Sequence, residues 1–223
     1  MSKVSRGNKG EEKVISALKK IKEEHYVFNN VSFVNEKSEM THQIDHILVH
    51  PHGVFVIETK NYYGEIISNT GENFWVKIIK GNKEVISNPL RQNKSHVRIV
   101  KKLLKNIDVI SLVVFVKNNA PYMGDENVIN LKYLLLFIES YPYQKILNKE
   151  EISEICKIIK QNKSKISKSE HLENISYLKQ IRKENMAEIE YAIESKKCPR
   201  CGAIILQNEY SFKCSKCDFK FKL

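Results

Sequence analysis

Two pairs of cysteines near the end of the chain constrain its folding more tightly than any other feature. Cys198 and Cys201 form one Cys-x-x-Cys pair, and Cys214 and Cys217 form a second, with twelve residues between the pairs. Each pair can place two thiolates on one metal ion, and two pairs complete the tetrahedral ligand set of a structural zinc site. The spacing therefore predicts a small zinc ribbon that holds one Zn²⁺ ion.

The segment between the pairs fits such a ribbon. Residues 203–213 alternate around Asn208 as a short hairpin does, and because so small a hairpin has almost no core, the metal has to supply its folding free energy. Four thiolates leave no open coordination position, which predicts a structural ion. The alternative is a set of redox dithiols or disulfides, which a reducing compartment disfavours. The fifth cysteine, Cys156, stands alone and is expected to be a buried apolar residue.

The length and charge of the chain narrow its class. Its 223 residues, 42% of them hydrophobic, can hold one medium globular domain and a small appended one. Lys and Arg outnumber Asp and Glu by 37 to 26, which favours a polyanionic partner such as nucleic acid, although lysine-rich solvated faces are also common. The longest apolar stretch, residues 133–138, is far below the roughly 20 residues of a membrane span. We expect a cytoplasmic protein that does not cross a membrane.

Hydrophobic periodicity predicts the elements of the first half. An apolar face repeats at helical spacing over residues 8–24, and a proline directly after Asn88 is typical of the start of a helix at 89–105. Residues 109–116 form an almost continuous apolar run, the pattern of a strand buried on both faces. Alternation and turn residues predict further strands at 26–34, 43–50, 54–59, 64–68 and 74–79. This order predicts an α/β fold with a central sheet.

The pattern is weaker beyond Pro121. A strand at 127–130 and an apolar element at 131–141 come first. Asn148 and Glu151 then have the spacing of a capping box, which predicts a helix ending near residue 162. A basic, serine-containing stretch at 160–168 has the composition of a linker, and a charged helix at 169–194 leads to the cysteines.

Polar side chains at the ends of two predicted strands form a candidate active site. Asp45 lies at the start of the run 44–49, and Glu58 and Lys60 follow the apolar run 54–57. A turn joins these strands and would bring Asp45 close to Glu58. Two carboxylates with a backbone carbonyl can hold Mg²⁺ or Mn²⁺, and Lys60, on the same face as Glu58, can orient a water molecule. The alternative is an ion pair between Lys60 and either acid at a sheet edge.

A further carboxylate lies on the first predicted helix. Glu11 shares a face with Val14 and Leu18, so it points inward and needs a partner. It could join the metal site through water or hold Lys60, and the alternative is a polar packing contact.

The ordered motifs of the first half resemble one known family. These motifs are Gly7-Asn-Lys-Gly-Glu11, Gln43-Ile-Asp45-His, Gly53-Val-Phe-Val-Ile-Glu58-Thr-Lys60-Asn61, Gly64, Trp75 and Asn88-Pro-Leu-Arg-Gln92-Asn. Together, over roughly residues 7 to 117, they resemble the NERD, or nuclease-related domain, family. This family is similar to the PD-(D/E)XK nucleases, and some members carry a C-terminal zinc ribbon, here similar to a topoisomerase-type zinc finger.

The resemblance implies an α/β, restriction-endonuclease-like mixed sheet flanked by helices. It implies that Asp45, Glu58 and Lys60 are the core catalytic residues. It further implies that Glu11 is the helix carboxylate near the site and that Gln92 is the helix glutamine there. With His96 four residues on, Gln92 could orient the attacking water or a phosphate, or it could be a helix-packing contact.

These observations predict three regions. Residues 1–125 form the nuclease-like domain, 126–195 a strand and helical connector, and 196–223 the zinc ribbon. The predicted activity is metal-dependent phosphodiester hydrolysis, with DNA favoured over RNA. The alternatives are a noncatalytic DNA-binding module and a module whose ribbon docks a DNA-processing protein.

The ribbon itself has a basic excess of seven residues against two acidic ones from residue 196 onward. It also has aromatic side chains that could either stack on bases or pack the ribbon: Tyr210, Phe212, Phe219 and Phe221.

Overall fold

The chain divides into two compact units, Met1–Ile166 and Ser167–Leu223, which are described separately. The structure is a computed structural model, and it describes residues 3–34, 41–68, 74–121, 127–142, 146–164, 176–177, 180, 184, 187–189, 191–207 and 211–222. No described helix is long and apolar enough to cross a membrane.

The described part of the first unit contains eight strands and four α-helices. In chain order they are α1 (Lys3–Leu18), β1 (Tyr26–Val34), β2 (Thr41–His50), β3 (Gly53–Lys60), β4 (Glu65–Ile67), β5 (Phe74–Ile79), β6 (Asn82–Ser87), α2 (Pro89–Leu103), β7 (Val109–Phe115), β8 (Val128–Asn130), α3 (Leu134–Ser140) and α4 (Lys149–Asn162).

The main sheet is mixed, with strand order β1-β2-β3-β7-β8. β1, β2 and β3 pair antiparallel, whereas β3 pairs with β7, and β7 with β8, in parallel. A parallel pair needs a crossover, and between β3 and β7 the chain forms the separate β4-β5-β6 sheet and then α2. The first six residues of β3 are all buried, as a central strand covered on both faces requires.

Helices cover both faces of this sheet. α1 and α3 pack on the face that contains Phe55 and Ile57 of β3. α2 and α4 pack on the opposite face, which contains Val54 and Val56. Successive strand residues point to opposite faces, so alternate residues of β3 belong to the two hydrophobic cores on either side of the sheet. The predicted α/β class, a mixed sheet flanked by helices, is confirmed.

Local sequence explains where the helices begin. Asn88 accepts a hydrogen bond from the Leu90 backbone N–H at 2.9 Å, and Pro89 occupies the first helical position, so α2 starts where predicted. Asn148 and Glu151 form both hydrogen bonds of a capping box at the start of α4.

Two expectations differ from the structure. α1 begins at Lys3, five residues before the predicted start, and ends at Leu18, six residues before the predicted end. It ends there because the amides of Lys20 and Ile21 bond carbonyls only three residues back and tighten the last turn. Strand β6 was not predicted, since its first four residues are exposed and three of them are polar, leaving no buried alternation to detect.

The second unit is built around the cysteines. Residues 191–195 are helical, and β9 (Ile205–Gln207), β10 (Ser211–Cys214) and β11 (Lys220–Lys222) form an antiparallel sheet of order β11-β10-β9. Parts of the predicted helix at 169–194 and linker at 160–168 lie outside the described residues, as does the hairpin tip with Asn208 and Tyr210. The predicted boundaries at 125 and 195 stay predictions.

Asn93 joins α2 to the main sheet, which gives a test of this packing. It is fully buried, and its Nδ2 donates to the Val56 carbonyl and the Ser111 hydroxyl at 2.9 Å and to the Leu112 carbonyl at 3.2 Å. We expect Asn93→Leu to lower the free energy of unfolding by about 1–3 kcal/mol, because buried acceptors lose their donor. Urea unfolding followed by the fluorescence of the single tryptophan, buried Trp75, measures this change. The control Ser95→Ala on the same helix should change it by less than about 0.5 kcal/mol; equal stabilities for the two variants would contradict the proposed tie.

Candidate functional site

Lys60 is the centre of a polar cluster at the end of β3. Its Nζ donates to Glu58 Oε1 at 2.5 Å and to Gln92 Oε1 at 3.1 Å. Glu58 and Lys60 are two residues apart on one strand and therefore project to the same face, which α2 covers. Gln92 lies in the first turn of α2, so the helix start that Asn88 fixes also places its amide on the lysine.

Asp45 enters the cluster from the neighbouring strand. The β2–β3 register pairs His46 with Ile57, which brings Asp45 opposite Glu58. Asp45 Oδ2 accepts a hydrogen bond from the Thr59 backbone N–H at 2.8 Å. The carboxylate is thus fixed to the backbone between Glu58 and Lys60.

The charges in the cluster are strongly coupled. Burial, and then the nearby Glu58 carboxylate, raise the pKa of Asp45 well above its usual value, while the Thr59 N–H and Lys60 lower it less. Burial by itself lowers the pKa of Lys60, but the Glu58 carboxylate, with Tyr62 and Asp45, more than reverses this and raises it above the usual lysine value. Lys60 is therefore an ammonium ion at neutral pH.

Glu11 lies beside this cluster on α1. Its charge adds to the upward shift of the Asp45 pKa, and its side chain is partly buried. Close packing brings α1 there, because a Cβ added to Gly10 would lie 2.8 Å from the Asn61 Cβ just after β3. The structure thus brings Glu58, Lys60 and Gln92 together by direct contacts, Asp45 by its hydrogen bond to the Thr59 amide and by charge, and Glu11 by charge. Their catalytic roles stay predictions.

His96, named above only as the helix neighbour of Gln92, contacts Glu58. It is buried one turn after Gln92, and its Nδ1 lies 3.5 Å from Glu58 Oε2. Its spacing of four residues from Gln92 was the sequence feature that could have indicated a place near the site. His46, also outside the predicted site, is buried and hydrogen-bonds Asn29 Oδ1 through Nδ1 at 2.8 Å, and burial lowers its pKa to about 4.

The cluster has the donor chemistry that a hard divalent cation needs. Glu58 Oε2 is buried and accepts no hydrogen bond from the described residues, and burial and the Glu58 charge disfavour the charged form of the coupled Asp45 carboxyl. Mg²⁺ usually takes one or two carboxylates and keeps several waters. Asp45 and Glu58 fit that requirement, and removing Lys60 from Glu58 Oε1 would free one more oxygen.

The cysteines of the second unit converge on one point. Sγ atoms of Cys198 and Cys217, and of Cys201 and Cys214, lie 3.5 Å apart, and all four ligand atoms lie within 4.8 Å of one another. Among the described residues this is the one group of three or more His, Cys, Asp or Glu side chains so placed. Four cysteines positioned to bind one metal ion support a structural zinc, with no position left for substrate.

The aromatic side chains of the ribbon that the structure describes pack inside it. Phe212 and Phe219 are buried in a small cluster with Ile205 and two of the cysteines. The Tyr210 and Phe221 side chains lie outside the described residues. Phe212 and Phe219 therefore stabilise the ribbon and offer little surface to a base.

Comparisons with known proteins agree with this geometry. The family model of the nuclease-related domain, NERD, matches residues 6–116, the part that contains most of α1 and all of β1 to β7 and α2. An uncharacterized protein of Bacillus anthracis is 32% identical over 152 residues, which cover 65% of this chain and 71% of that protein. No solved structure matches the chain significantly. With the family model spanning the whole cluster around Lys60, and a relative of this similarity, the chain belongs to the NERD nuclease-related domain family.

Proposed function

We propose that this protein is a metal-dependent nuclease that hydrolyses phosphodiester bonds in nucleic acid, with DNA favoured. The observation that carries the proposal is the convergence of Asp45, Glu58 and Lys60 at the end of β3, with Gln92 on the lysine. Asp45 and Glu58 would hold Mg²⁺ or Mn²⁺. When bound, such an ion polarises a phosphate and lowers the pKa of a bound water.

The charge of Lys60 supports a role for it in the proposed mechanism. While Lys60 is paired with the Glu58 carboxylate, that carboxylate raises its pKa, so the lysine carries a proton at neutral pH. Its ammonium would orient the attacking water and stabilise the charge that develops on the phosphate. Gln92 holds the lysine in place, and Glu11 adds negative charge that favours a cation beside Asp45.

The outer face of α2 supports a nucleic-acid substrate. Five exposed basic residues follow one another at helical spacing, and the helix contains no acidic residue. They are Arg91, Lys94, Arg98, Lys101 and Lys102. This row of basic residues starts next to Gln92, so a nucleic-acid strand whose phosphates lie along the row would lead to Lys60.

The ribbon would add affinity for nucleic acid through its basic excess, or dock a DNA-processing protein. We retain the division into a nuclease domain at 1–125, a connector at 126–195 and a ribbon at 196–223. Cysteine pairs placed to hold a metal ion suit a reducing compartment, and we propose a cytoplasmic location.

One observation favours a second candidate, a noncatalytic DNA-binding module. The Lys60 ammonium already neutralises Glu58, so the cluster can exist without a metal as a buried ion pair. In that case the fold would serve only to present charge to nucleic acid.

A cleavage time course separates these functions. Supercoiled plasmid, single-stranded DNA and RNA are incubated with wild type, Glu58→Gln or Lys60→Ala in Mg²⁺, Mn²⁺ or EDTA. We expect metal-dependent cutting that each substitution slows at least about a hundredfold, because each removes a charged group from the reacting centre.

The matched controls are Glu65→Gln on β4 and Lys157→Ala on α4, two exposed sites outside the cluster, which should cut at the wild-type rate. Zinc content should be the same in all variants. Wild-type activity in Lys60→Ala would contradict the mechanism, and binding without cutting in every metal would establish the noncatalytic module.

The charged state of Asp45 should have a cost in stability. Because its folded-state pKa is raised, folding favours the protonated form, so the penalty is absent below the unfolded pKa near 3.9 and is complete above the folded pKa. Asp45→Asn keeps an oxygen for the Thr59 N–H and removes the charge. We expect it to raise the urea midpoint at neutral pH and to lose this advantage as the pH falls. A variant less stable than wild type at pH 7 would contradict the inference that burial disfavours the Asp45 charge.

A further inference from the structure

A cavity of about 320 Å³ opens beside Lys60, near the lower end of the roughly 300–1,000 Å³ range of ligand sites. One wall is the end of β3 and the segment after it, with Lys60, Tyr62 and Tyr63. The other is one face of the β4-β5-β6 sheet, with Lys77, Ile79 and Glu84. We call these six residues and the space between them the aromatic cleft.

Strand alternation builds the wall on the small sheet. Trp75 of β5 and Ile86 of β6 pair in register and pack in the core, where Trp75 stacks with Phe115 at 6.4 Å between ring centroids. Lys77 lies two residues after Trp75 on the same face, paired with Glu84, and their side chains meet at 2.7 Å. One face of the β4-β5-β6 sheet is therefore apolar at Trp75, where it packs in the core, and polar at Lys77 and Glu84, where it lines the cleft.

Hydrogen bonds and one glycine hold the opposite wall in shape. Asn119 Nδ2 donates to the Tyr62 carbonyl at 3.1 Å and to the Gly64 carbonyl at 2.7 Å. Gly64 has a φ of +85°, and a Cβ there would lie 2.0 Å from the Ile78 carbonyl oxygen of β5, so only glycine allows this approach. The backbone that carries both tyrosines is thus fixed before any ligand arrives.

A lysine ammonium lies over each of the two tyrosine rings, one from Lys77 in the cleft and one from Lys117, which does not line it. Lys77 Nζ lies 5.3 Å from the centroid of the Tyr62 ring, and Lys117 Nζ lies 4.3 Å from that of Tyr63. The Tyr63 side chain is half exposed. Sites for unpaired nucleotides combine these two features, because a base stacks on an aromatic ring while its phosphate is held by a cation.

We propose that the aromatic cleft binds an unpaired nucleotide next to the phosphodiester bond that lies at Lys60. The protein therefore acts on single-stranded or locally unpaired nucleic acid, since a paired base keeps its faces inside the duplex stack and cannot reach Tyr63. The position of the scissile bond rests on the proposed nuclease function, whereas nucleotide binding in the cleft is measured without cleavage.

Binding is measured on the full chain without added divalent metal, by anisotropy of labelled single-stranded and duplex oligonucleotides, in DNA and RNA forms. The stacking itself is followed by the fluorescence of 2-aminopurine within the single strand. We expect Tyr63→Leu to weaken single-strand binding about tenfold and to abolish the 2-aminopurine change, and Tyr63→Phe to restore both, because the ring and not the hydroxyl stacks.

The chain offers a matched control at Tyr133. It is similarly exposed and has the Lys132 ammonium 4.8 Å from its ring centroid, but it does not line the cleft. Tyr133→Leu should bind as wild type does. Equal single-strand affinity in wild type and Tyr63→Leu, or equal losses in Tyr63→Leu and Tyr133→Leu, would overturn the proposal.

The two proposals fail separately. If Tyr63 governs single-strand binding but wild type cuts nothing in Mg²⁺ or Mn²⁺, the cleft stands and the nuclease function falls. If wild type cuts in a Glu58-dependent way while Tyr63→Leu binds and cuts single strands as wild type does, the nuclease stands and the cleft is overturned.

Discussion

The pairing of β3 between β2 and β7 is the constraint on which the candidate site depends. Its antiparallel register with β2 brings Asp45 opposite Glu58, and its parallel register with β7 requires the crossover that contains α2 and therefore Gln92. Helices bury β3 on both faces as far as Glu58, and only its last two residues, Thr59 and Lys60, are partly exposed. The packing of β3 thus holds these polar side chains close together, although their burial and mutual repulsion are unfavourable.

Those polar groups are balanced against one another. Two carboxylates lie close together out of water, which raises the pKa of Asp45, and the Lys60 ammonium offsets part of their charge. Such an arrangement sacrifices stability and is typical of sites that bind or react. A divalent cation would relieve the same repulsion, so Lys60 and the metal would act on a shared pair of acids.

Much of this could be predicted from the sequence, because its strongest signals are local. The turn between β2 and β3 and the apolar run of β3 predict the proximity of Asp45 and Glu58, and the cysteine spacing predicts the convergence of the four thiols. The cleft could not be predicted, since it depends on β6, whose exposed polar residues carry no pattern, and on Asn119, which reaches a loop 55 residues earlier in the chain. The contact of His96 with Glu58 could not be predicted either, because it depends on how α2 packs against the sheet.

Titration with Mn²⁺, followed by the electron paramagnetic resonance of the free ion, tests the central claim that Asp45 and Glu58 form one metal site. A shared carboxylate site predicts one bound Mn²⁺ in wild-type protein whose zinc is already in place, with an affinity that rises with pH because the ion competes with the proton on Asp45. It also predicts at least about a tenfold loss of affinity in Asp45→Asn. Absence of a bound Mn²⁺, or equal affinities in the variant and wild type, would contradict the claim.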